Sequence, residues 1–214
     1  MIRLMAILLL STAAPALAAE PFEDQLAAFD QSDAAKPWPA DAVLFVGSSS
    51  VQRWDVVADD LKVPVVNRGV WGSGAADWVR FGPRVLGDHR PRIILYYAGD
   101  NDLAAGRSPY EVLAAFKSFV TMARQRLPQV PIVFISIKPS PARWTLANKI
   151  RTTNRIVRDY EKSEKGFEFV DVLTPMLDET GVPRKGLFQE DGLHLTRDGY
   201  LLWAQLLRPV VLPR

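Results

Sequence analysis

Short apolar runs alternate along the chain with longer segments of helical periodicity. The apolar runs are rich in β-branched and aromatic residues and predict five strands, at Ala42–Val46, Val63–Asn67, Arg92–Tyr97, Pro131–Ile137 and Phe167–Val172. Helices are predicted between and after them, at Gln52–Leu61, Ala75–Leu86, Pro109–Arg126, Thr145–Lys162 and Arg197–Leu207. Five continuous apolar strands separated by helices indicate an α/β fold, in which a parallel sheet is covered on both faces.

The N-terminal segment has a different pattern. Arg3 is followed by an apolar run that ends at Leu10, and residues 16–18 read Ala-Leu-Ala, which fits a signal-peptidase site. The run is shorter than the roughly 20 residues that a spanning helix needs. Residues 1–18 are therefore predicted to be a cleaved signal peptide and residues 19–214 a single domain. The mature protein is expected in the periplasm or outside the cell, without a membrane span.

A short amphipathic helix is predicted directly after this segment. Phe22, Leu26 and Phe29 recur at spacings of four and three residues, and the helix should end before the sequence KPWPAD. It is expected to pack on the outside of the domain.

Composition narrows the possible functions. The chain has 214 residues, of which 48% are hydrophobic and 23% charged, as is usual for one globular domain. The formal charge is +2 and the basic residues are scattered, so binding to nucleic acid is not expected. The absence of cysteine excludes disulfides and thiolate chemistry, and two histidines are few for a metal centre. No cofactor is expected, and the oligomeric state is left open.

Four short motifs fall at predicted strand ends or in the last loop. They are GSSS after the first strand, NRGVWGSG after the second, GDND after the third, and DGLH before the final helix. Ligands bind at the carboxyl ends of the strands in an open parallel sheet. Each motif alone is ordinary turn chemistry, and only complementary roles would make the set a site.

The four motifs supply such roles for acyl transfer. A serine hydroxyl becomes a nucleophile when a histidine takes its proton and a third group orients that histidine. Asp191 precedes His194 by three residues, so its carboxylate can reach one ring nitrogen while the other faces a serine. The backbone N–H of Gly72 and the side-chain amide of Asn101 can donate to an oxyanion, together with the N–H of the nucleophile.

The ordered set resembles the four blocks of the SGNH (GDSL-type) hydrolases. The resemblance is carried by Gly47-Ser48-Ser49, Gly72, Gly99-Asp100-Asn101-Asp102 and Asp191-Gly192-Leu193-His194. It implies a flavodoxin-like three-layer α/β/α sandwich with a five-stranded parallel sheet, and a metal-independent esterase, lipase or carbohydrate deacetylase. The implied roles are Ser49 as nucleophile and oxyanion donor, Gly72 and Asn101 as further donors, His194 as base and Asp191 as its orienting group.

Some positions keep simpler interpretations. Ser48 stands where an acidic residue is usual in these hydrolases, and Ser48 and Ser50 are expected to be cap or turn residues. The sequence DND could suggest a cation site, but no second carboxylate cluster completes one, so no metal is expected. His89 is predicted to be an exposed loop residue. Trp71 precedes Gly72 directly and is predicted to wall the acyl or sugar pocket.

The sequence as a whole predicts an exported serine esterase that hydrolyses short-chain carboxylic esters through an acyl-enzyme. Its substrate would be a small-molecule or glycan ester. One alternative is a carbohydrate O-deacetylase. Another is a non-catalytic envelope protein that binds carbohydrate on the same fold, because a fold does not specify function.

Overall fold

The computed structural model describes residues 20–212, so the predicted signal peptide lies outside the described residues. One sheet holds five parallel strands in the order β2-β1-β3-β4-β5. The strands are β1 (Val43–Gly47), β2 (Val65–Gly69), β3 (Ile93–Tyr97), β4 (Ile132–Ile135) and β5 (Phe167–Val170). All five predicted strands and the α/β fold class are confirmed.

The strands are apolar on both faces because both faces are covered. Leu44 and Val46 of β1 pack into one core, whereas Val43 and Phe45 pack into a second core on the opposite face. Side chains alternate between the faces of a strand, so a strand buried on both sides has no polar positions in its pattern. The continuous apolar runs in the sequence have this origin.

Helices form the two outer layers. They are α1 (Glu23–Ala35), α2 (Ser49–Gln52), α3 (Val57–Leu61), α4 (Ala75–Leu86), α5 (Asp100–Ala104), α6 (Pro109–Arg126), α7 (Ala147–Glu161) and α8 (Arg197–Val211). The first core is covered by α1, α4, α6 and α7, and the second by α2, α3 and α8. This arrangement confirms the three-layer sandwich. Within the described part of the chain, no helix is both long enough and apolar enough to cross a membrane.

The helix predicted at Gln52–Leu61 is wrong as a single element. The chain forms the short helices α2 and α3 instead, with Trp54 between them. Trp54 is fully buried, stacks on Tyr200 with ring centroids 5.0 Å apart, and donates from Nε1 to Asp60 Oδ2 at 2.7 Å. Packing of this indole outweighs the local helical pattern.

The strand order reverses at β1. The chain passes from β1 to β2 on one side of it and then crosses to β3 on the other side. Ligands of open parallel sheets bind where the strand order reverses in this way. The segments that follow β1, β2 and β3 therefore meet at one place, which also receives the loop before α8.

Candidate active site

Ser49, His194 and Asp191 form a continuous hydrogen-bonded chain. Ser49 Oγ lies 3.0 Å from His194 Nε2, and His194 Nδ1 lies 2.6 Å from Asp191 Oδ2. The ionised carboxylate can only accept, so the geometry fits the tautomer that carries its proton on Nδ1 and presents Nε2 as an acceptor to the serine. The structure thus brings together three side chains from two distant segments.

Ser49 is held in place by the turn between β1 and α2. It begins α2 two residues after β1 ends at Gly47, and the extended Ser48 lies between them. Helix α2 rests directly on the end of β2, where a Cβ added at Gly69 would lie 2.1 Å from Gln52 N. A larger residue at Gly69 would push this turn, and the serine with it, away from the sheet.

The loop before α8 fixes the histidine and its carboxylate partner. Asp191 Oδ1 accepts hydrogen bonds of 2.9 Å from the backbone N–H groups of both Leu193 and His194. Partial desolvation opposes ionisation, but these bonds and the His194 ring hold the pKa of Asp191 well below its usual range. The carboxylate therefore stays charged beside a ring that would become cationic when it takes a proton.

The backbone N–H groups of Ser49 itself and of Gly72 are two of the predicted oxyanion donors. Gly72 follows β2 with a φ of 78°, a conformation that glycine adopts without the strain other residues would incur. Within residues 20–212, neither the Gly72 N–H nor the Ser49 N–H has a hydrogen-bond acceptor. Both donors remain available to a negatively charged oxygen.

Asn101 supplies a third donor from the first turn of α5. Its Nδ2 donates to Ser73 O at 2.9 Å, which ties α5 to the loop that contains Gly72. An amide nitrogen carries two hydrogens, so one remains after this bond is made. The three predicted oxyanion donors therefore come from the segments after β1, β2 and β3.

The two aspartates that flank Asn101 face in different directions. Asp100 Oδ2 accepts from Lys138 Nζ at 3.1 Å, whereas Asp102 Oδ2 accepts from the backbone N–H of Ala75 at 2.8 Å. Burial raises the pKa of Asp102. Both carboxylates are thus occupied by donors of the protein itself. No group of three or more His, Asp or Glu side chains among residues 20–212 could hold a metal ion.

Trp71 lies against the histidine. Its ring stacks on the His194 ring with centroids 5.2 Å apart, and Arg53 Cζ lies 4.8 Å from the centroid of the indole. The side chain is nevertheless 46% exposed. Trp71 therefore lies at the border of the Ser49–His194 pair, with part of its ring in solvent.

Helix α1 supports the same loop from outside. Gln25 Oε1 accepts hydrogen bonds from the backbone N–H of Trp71 at 2.7 Å and from Gln52 Nε2 at 3.0 Å. One side chain of α1 thus joins the loop after β2 to the helix that carries the serine. Two glutamines with no motif around them gave no signal of this contact in the sequence.

A buried ionic cluster that the sequence analysis missed lies below Asn101. Lys138 Nζ contacts Tyr97 Oη and Asp100 Oδ2, each at 3.1 Å, and Arg143 Nη1 lies 3.2 Å from Asp100 Oδ2. Burial would raise the pKa of Asp100, but the charges of Lys138 and Arg143 keep it below its ordinary value. The available signal was a lysine at the end of the apolar run PIVFISIK, a position where a charge needs a partner.

We expect Lys138→Met to lower the free energy of unfolding by about 3–5 kcal/mol at pH 7, because it leaves a buried carboxylate without its nearest cation. Urea unfolding measures this loss. An ionised Asp100 with a lowered pKa stabilises the fold above its ordinary pKa of about 4 and ceases to do so as the pH falls. The difference between wild type and variant should therefore shrink below pH 4.

Asp100→Asn is the matched control for this prediction. Added to Lys138→Met, it removes a buried charge that keeps only Arg143 as a cationic partner, and it should restore part of the lost stability. A double variant that is as unstable as the sum of the two single variants would contradict the pairing.

Three peripheral predictions can be compared with the structure. Ser48 occupies the N-cap position of α2, but its buried Oγ forms no hydrogen bond with the described residues. Ser50 is buried within α2. His89 is only partly exposed, because it stacks on Trp38 with ring centroids 3.8 Å apart and Nε2 lies 3.3 Å from Asp33 Oδ2. The prediction of an exposed loop histidine is wrong to that extent.

The fold and the family comparison together define a serine ester hydrolase. The chain belongs to the GDSL-like lipase/acylhydrolase family, whose model matches residues 30–202. The resemblance found in the four motifs is thereby confirmed. A comparison with curated protein sequences gave no significant match.

Solved structures with the same fold come from several organisms. A Streptococcus pneumonia protein assigned provisionally as a platelet activating factor has a TM-score of 0.80 and 21% identity, over 89% of this chain and 92% of that one. A GDSL-like lipase from Bacteroides thetaiotaomicron has a TM-score of 0.76 and 20% identity, over 87% and 96%. A carbohydrate esterase family 3 protein from Talaromyces cellulolyticus has a TM-score of 0.67 and 17% identity, over 79% and 95%. At these identities the likeness extends to the fold alone.

Proposed function

We propose that the protein is a serine esterase that hydrolyses short-chain carboxylic esters through an acyl-enzyme on Ser49. The observation that carries the proposal is the unbroken hydrogen-bonded chain from Ser49 Oγ through His194 to Asp191, with bonds of 3.0 and 2.6 Å. A base within hydrogen-bond reach of a hydroxyl, and itself oriented by a carboxylate, is the arrangement that nucleophilic acyl transfer needs.

Acylation begins when Ser49 Oγ attacks the ester carbonyl and its proton passes to His194 Nε2. The ring becomes cationic, and Asp191 stabilises it without taking a proton. The carbonyl oxygen becomes an oxyanion that accepts hydrogen bonds from the N–H groups of Ser49 and Gly72 and from Asn101 Nδ2. His194 then gives its proton to the departing alkoxide, so the alcohol leaves and Ser49 holds the acyl group.

Deacylation repeats these steps with water. His194 takes a proton from a water molecule, whose oxygen attacks the acyl carbon of the ester formed on Ser49. The same three donors stabilise the second oxyanion. When it collapses, His194 returns a proton to Ser49 Oγ and the carboxylic acid is released.

The open border of the site supports a short acyl group. Trp71 is half-exposed and the Asp191 side chain is 43% exposed, so a long chain beside them would remain in water. A site that buried the chain would gain about 0.8 kcal/mol, or about fourfold in kcat/KM, for each CH₂. An open site lacks this gain.

We therefore expect no preference for long chains; because Trp71 narrows the acyl side, kcat/KM should fall steadily from acetyl or butyryl to octanoyl and longer p-nitrophenyl esters. Trp71→Ala removes the indole from the acyl side and should flatten this trend. Trp71 also stacks on His194, so its loss could lower kcat for every ester. The measurement is therefore the ratio of kcat/KM for the octanoyl ester to that for the acetyl ester, in which such a common loss cancels. Trp71→Phe, which keeps a ring at this position, is the control. A wild-type optimum at twelve carbons or more would contradict the open-site argument.

A carbohydrate O-deacetylase is the second candidate, favoured by the exposed indole of Trp71 beside the nucleophile. Aromatic rings offer flat apolar surface, on which the apolar face of a sugar can stack. A screen of acetylated glycans against p-nitrophenyl acetate would distinguish the two candidates. If neither the acetylated glycans nor p-nitrophenyl acetate are turned over, and no burst of product is seen, the non-catalytic carbohydrate-binding alternative would be favoured.

We also propose export to the periplasm or the exterior, on the basis of residues 1–18. N-terminal sequencing of protein from the envelope fraction should then begin at Ala19 or within a residue or two of it. An intact Met1 on protein recovered from the cytoplasm would contradict export.

A further inference from the structure

Asn101 can stabilise an oxyanion only if its amide faces the correct way. Arg143 Nη2 donates to Asn101 Oδ1 at 2.8 Å, while Asn101 Nδ2 donates to Ser73 O at 2.9 Å. A guanidinium can only donate and a carbonyl oxygen can only accept, so this pair of partners fixes which end of the amide is which. A flipped amide would place its NH₂ against the guanidinium.

Arg143 is itself held by the buried cluster. Its Nη1 lies 3.2 Å from Asp100 Oδ2, and Asp100 is held in turn by Lys138 Nζ and by the hydroxyl of Tyr97 at 3.2 Å. The Arg143 side chain is only 18% exposed, and it is carried by the 3₁₀ segment Pro141–Leu146 after β4. The guanidinium is therefore positioned by residues that do not depend on the presence of substrate.

A charged donor to Asn101 Oδ1 also makes the Nδ2–H group of the same amide a stronger hydrogen-bond donor. Hydrogen bonds to a cation are stronger than neutral ones, and hydrogen-bonded groups in series polarise one another. The free N–H of Asn101 becomes a better donor as electron density is drawn toward Oδ1. This effect is larger in the transition state, where the acceptor is an oxyanion rather than a neutral carbonyl.

We infer that Arg143 is a positioning residue of the oxyanion hole, which acts through Asn101 by orienting and polarising its amide. The inference deepens the proposed esterase function and rests on it. It assigns a role in the reaction to the cluster of Tyr97, Asp100, Lys138 and Arg143.

Arg143→Met should lower kcat for p-nitrophenyl acetate by about 10- to 100-fold with little change in KM. The reason is that the hydrogen bond from Asn101, which Arg143 supports, is made mainly to the oxyanion of the transition state. Arg143→Lys keeps the charge and should recover part of the loss. Arg151→Met is the matched control: it removes an exposed arginine that contacts Gly181 O, and it should leave kcat unchanged. Should Arg143→Met not fold, Arg143→Gln keeps a neutral donor and should show a smaller loss.

A double-mutant cycle separates this role from direct binding of substrate. In an Asn101→Ala background, Arg143→Met should change kcat by less than about threefold, since the group through which it acts has gone. A loss of equal size in both backgrounds would overturn the inference, and so would an unchanged kcat in Arg143→Met.

A spectroscopic measurement tests the contact without turnover. The side-chain amide resonances of Asn101, assigned by comparison with Asn101→Asp, should shift in Arg143→Met and stay in place in Arg151→Met. Unshifted resonances would overturn the inference even if the wild type proved inactive. A wild type that hydrolyses no ester, with shifted resonances, would count against the proposed function and leave the Arg143 contact established.

Discussion

Ser49→Ala should lower kcat for short-chain esters by on the order of 10⁴-fold or more and should abolish labelling by an organophosphonate. The reason is that Ser49 Oγ is the hydroxyl that lies within hydrogen-bond reach of His194 Nε2, at 3.0 Å. Without this hydroxyl no acyl-enzyme forms. The only remaining reaction is slow attack of water on the ester carbonyl that the oxyanion donors still bind. Stopped-flow kinetics should show a burst of p-nitrophenol from the wild type and none from the variant.

Ser50→Ala is the natural control because Ser50 is adjacent, buried and part of the same short helix. It should keep both the label and most of the activity. Labelling that survived in Ser49→Ala but disappeared in Ser50→Ala would reassign the nucleophile. Mass spectrometry of the labelled peptide distinguishes the two serines directly.

Asn101→Ala should lower kcat by roughly 10²- to 10³-fold with a smaller effect on KM. The side-chain amide that is lost donates its hydrogen bond mainly to the oxyanion. Its removal therefore destabilises the transition state more than it weakens substrate binding. Steady-state kinetics on p-nitrophenyl acetate measures both parameters.

Asn101→Asp keeps the shape of the side chain and replaces the donor by an acceptor. It should be at least as impaired as Asn101→Ala. Substantial activity in the aspartate variant, or an unchanged kcat in a folded alanine variant, would remove Asn101 from the site. Asn148→Ala, at an exposed position on α7, controls for loss of an amide elsewhere.

The sheet could be predicted from the sequence because its physical cause is local. A strand buried on both faces must be apolar at every position, and runs such as Ala42–Val46 show this directly. The end of β4 was less predictable. The strand stops at Ile135, and the backbone of Ile137 pairs instead with the side chain of Asn154 at 2.8 and 2.9 Å. Asn154 is 17 residues from Ile137 in the sequence, so the local pattern around Ile137 does not indicate this contact.

The residues of the candidate site also differ in how far the sequence predicts them. Ser49, Gly72, Asn101 and the Asp191–His194 pair stand in short motifs whose order along the chain carries information. Arg143 has no such motif, and its partner is brought to it only by the adjacent positions of β3 and β4 in the sheet. Sequence patterns report which residue types are available, whereas a contact between loops of neighbouring strands depends on the completed fold.

Gln25 shows that the candidate site depends on residues before the region matched by the family. The recognisable family region starts at residue 30, yet the side chain that holds the backbone of Trp71 comes from five residues earlier. A recombinant chain trimmed to the recognisable region would keep every motif residue and lose the hydrogen bond between Gln25 and the backbone next to Gly72, a proposed oxyanion donor. Domain boundaries drawn from family similarity would thus cut off a segment that contacts the candidate site, so truncations of this protein should preserve the whole of α1.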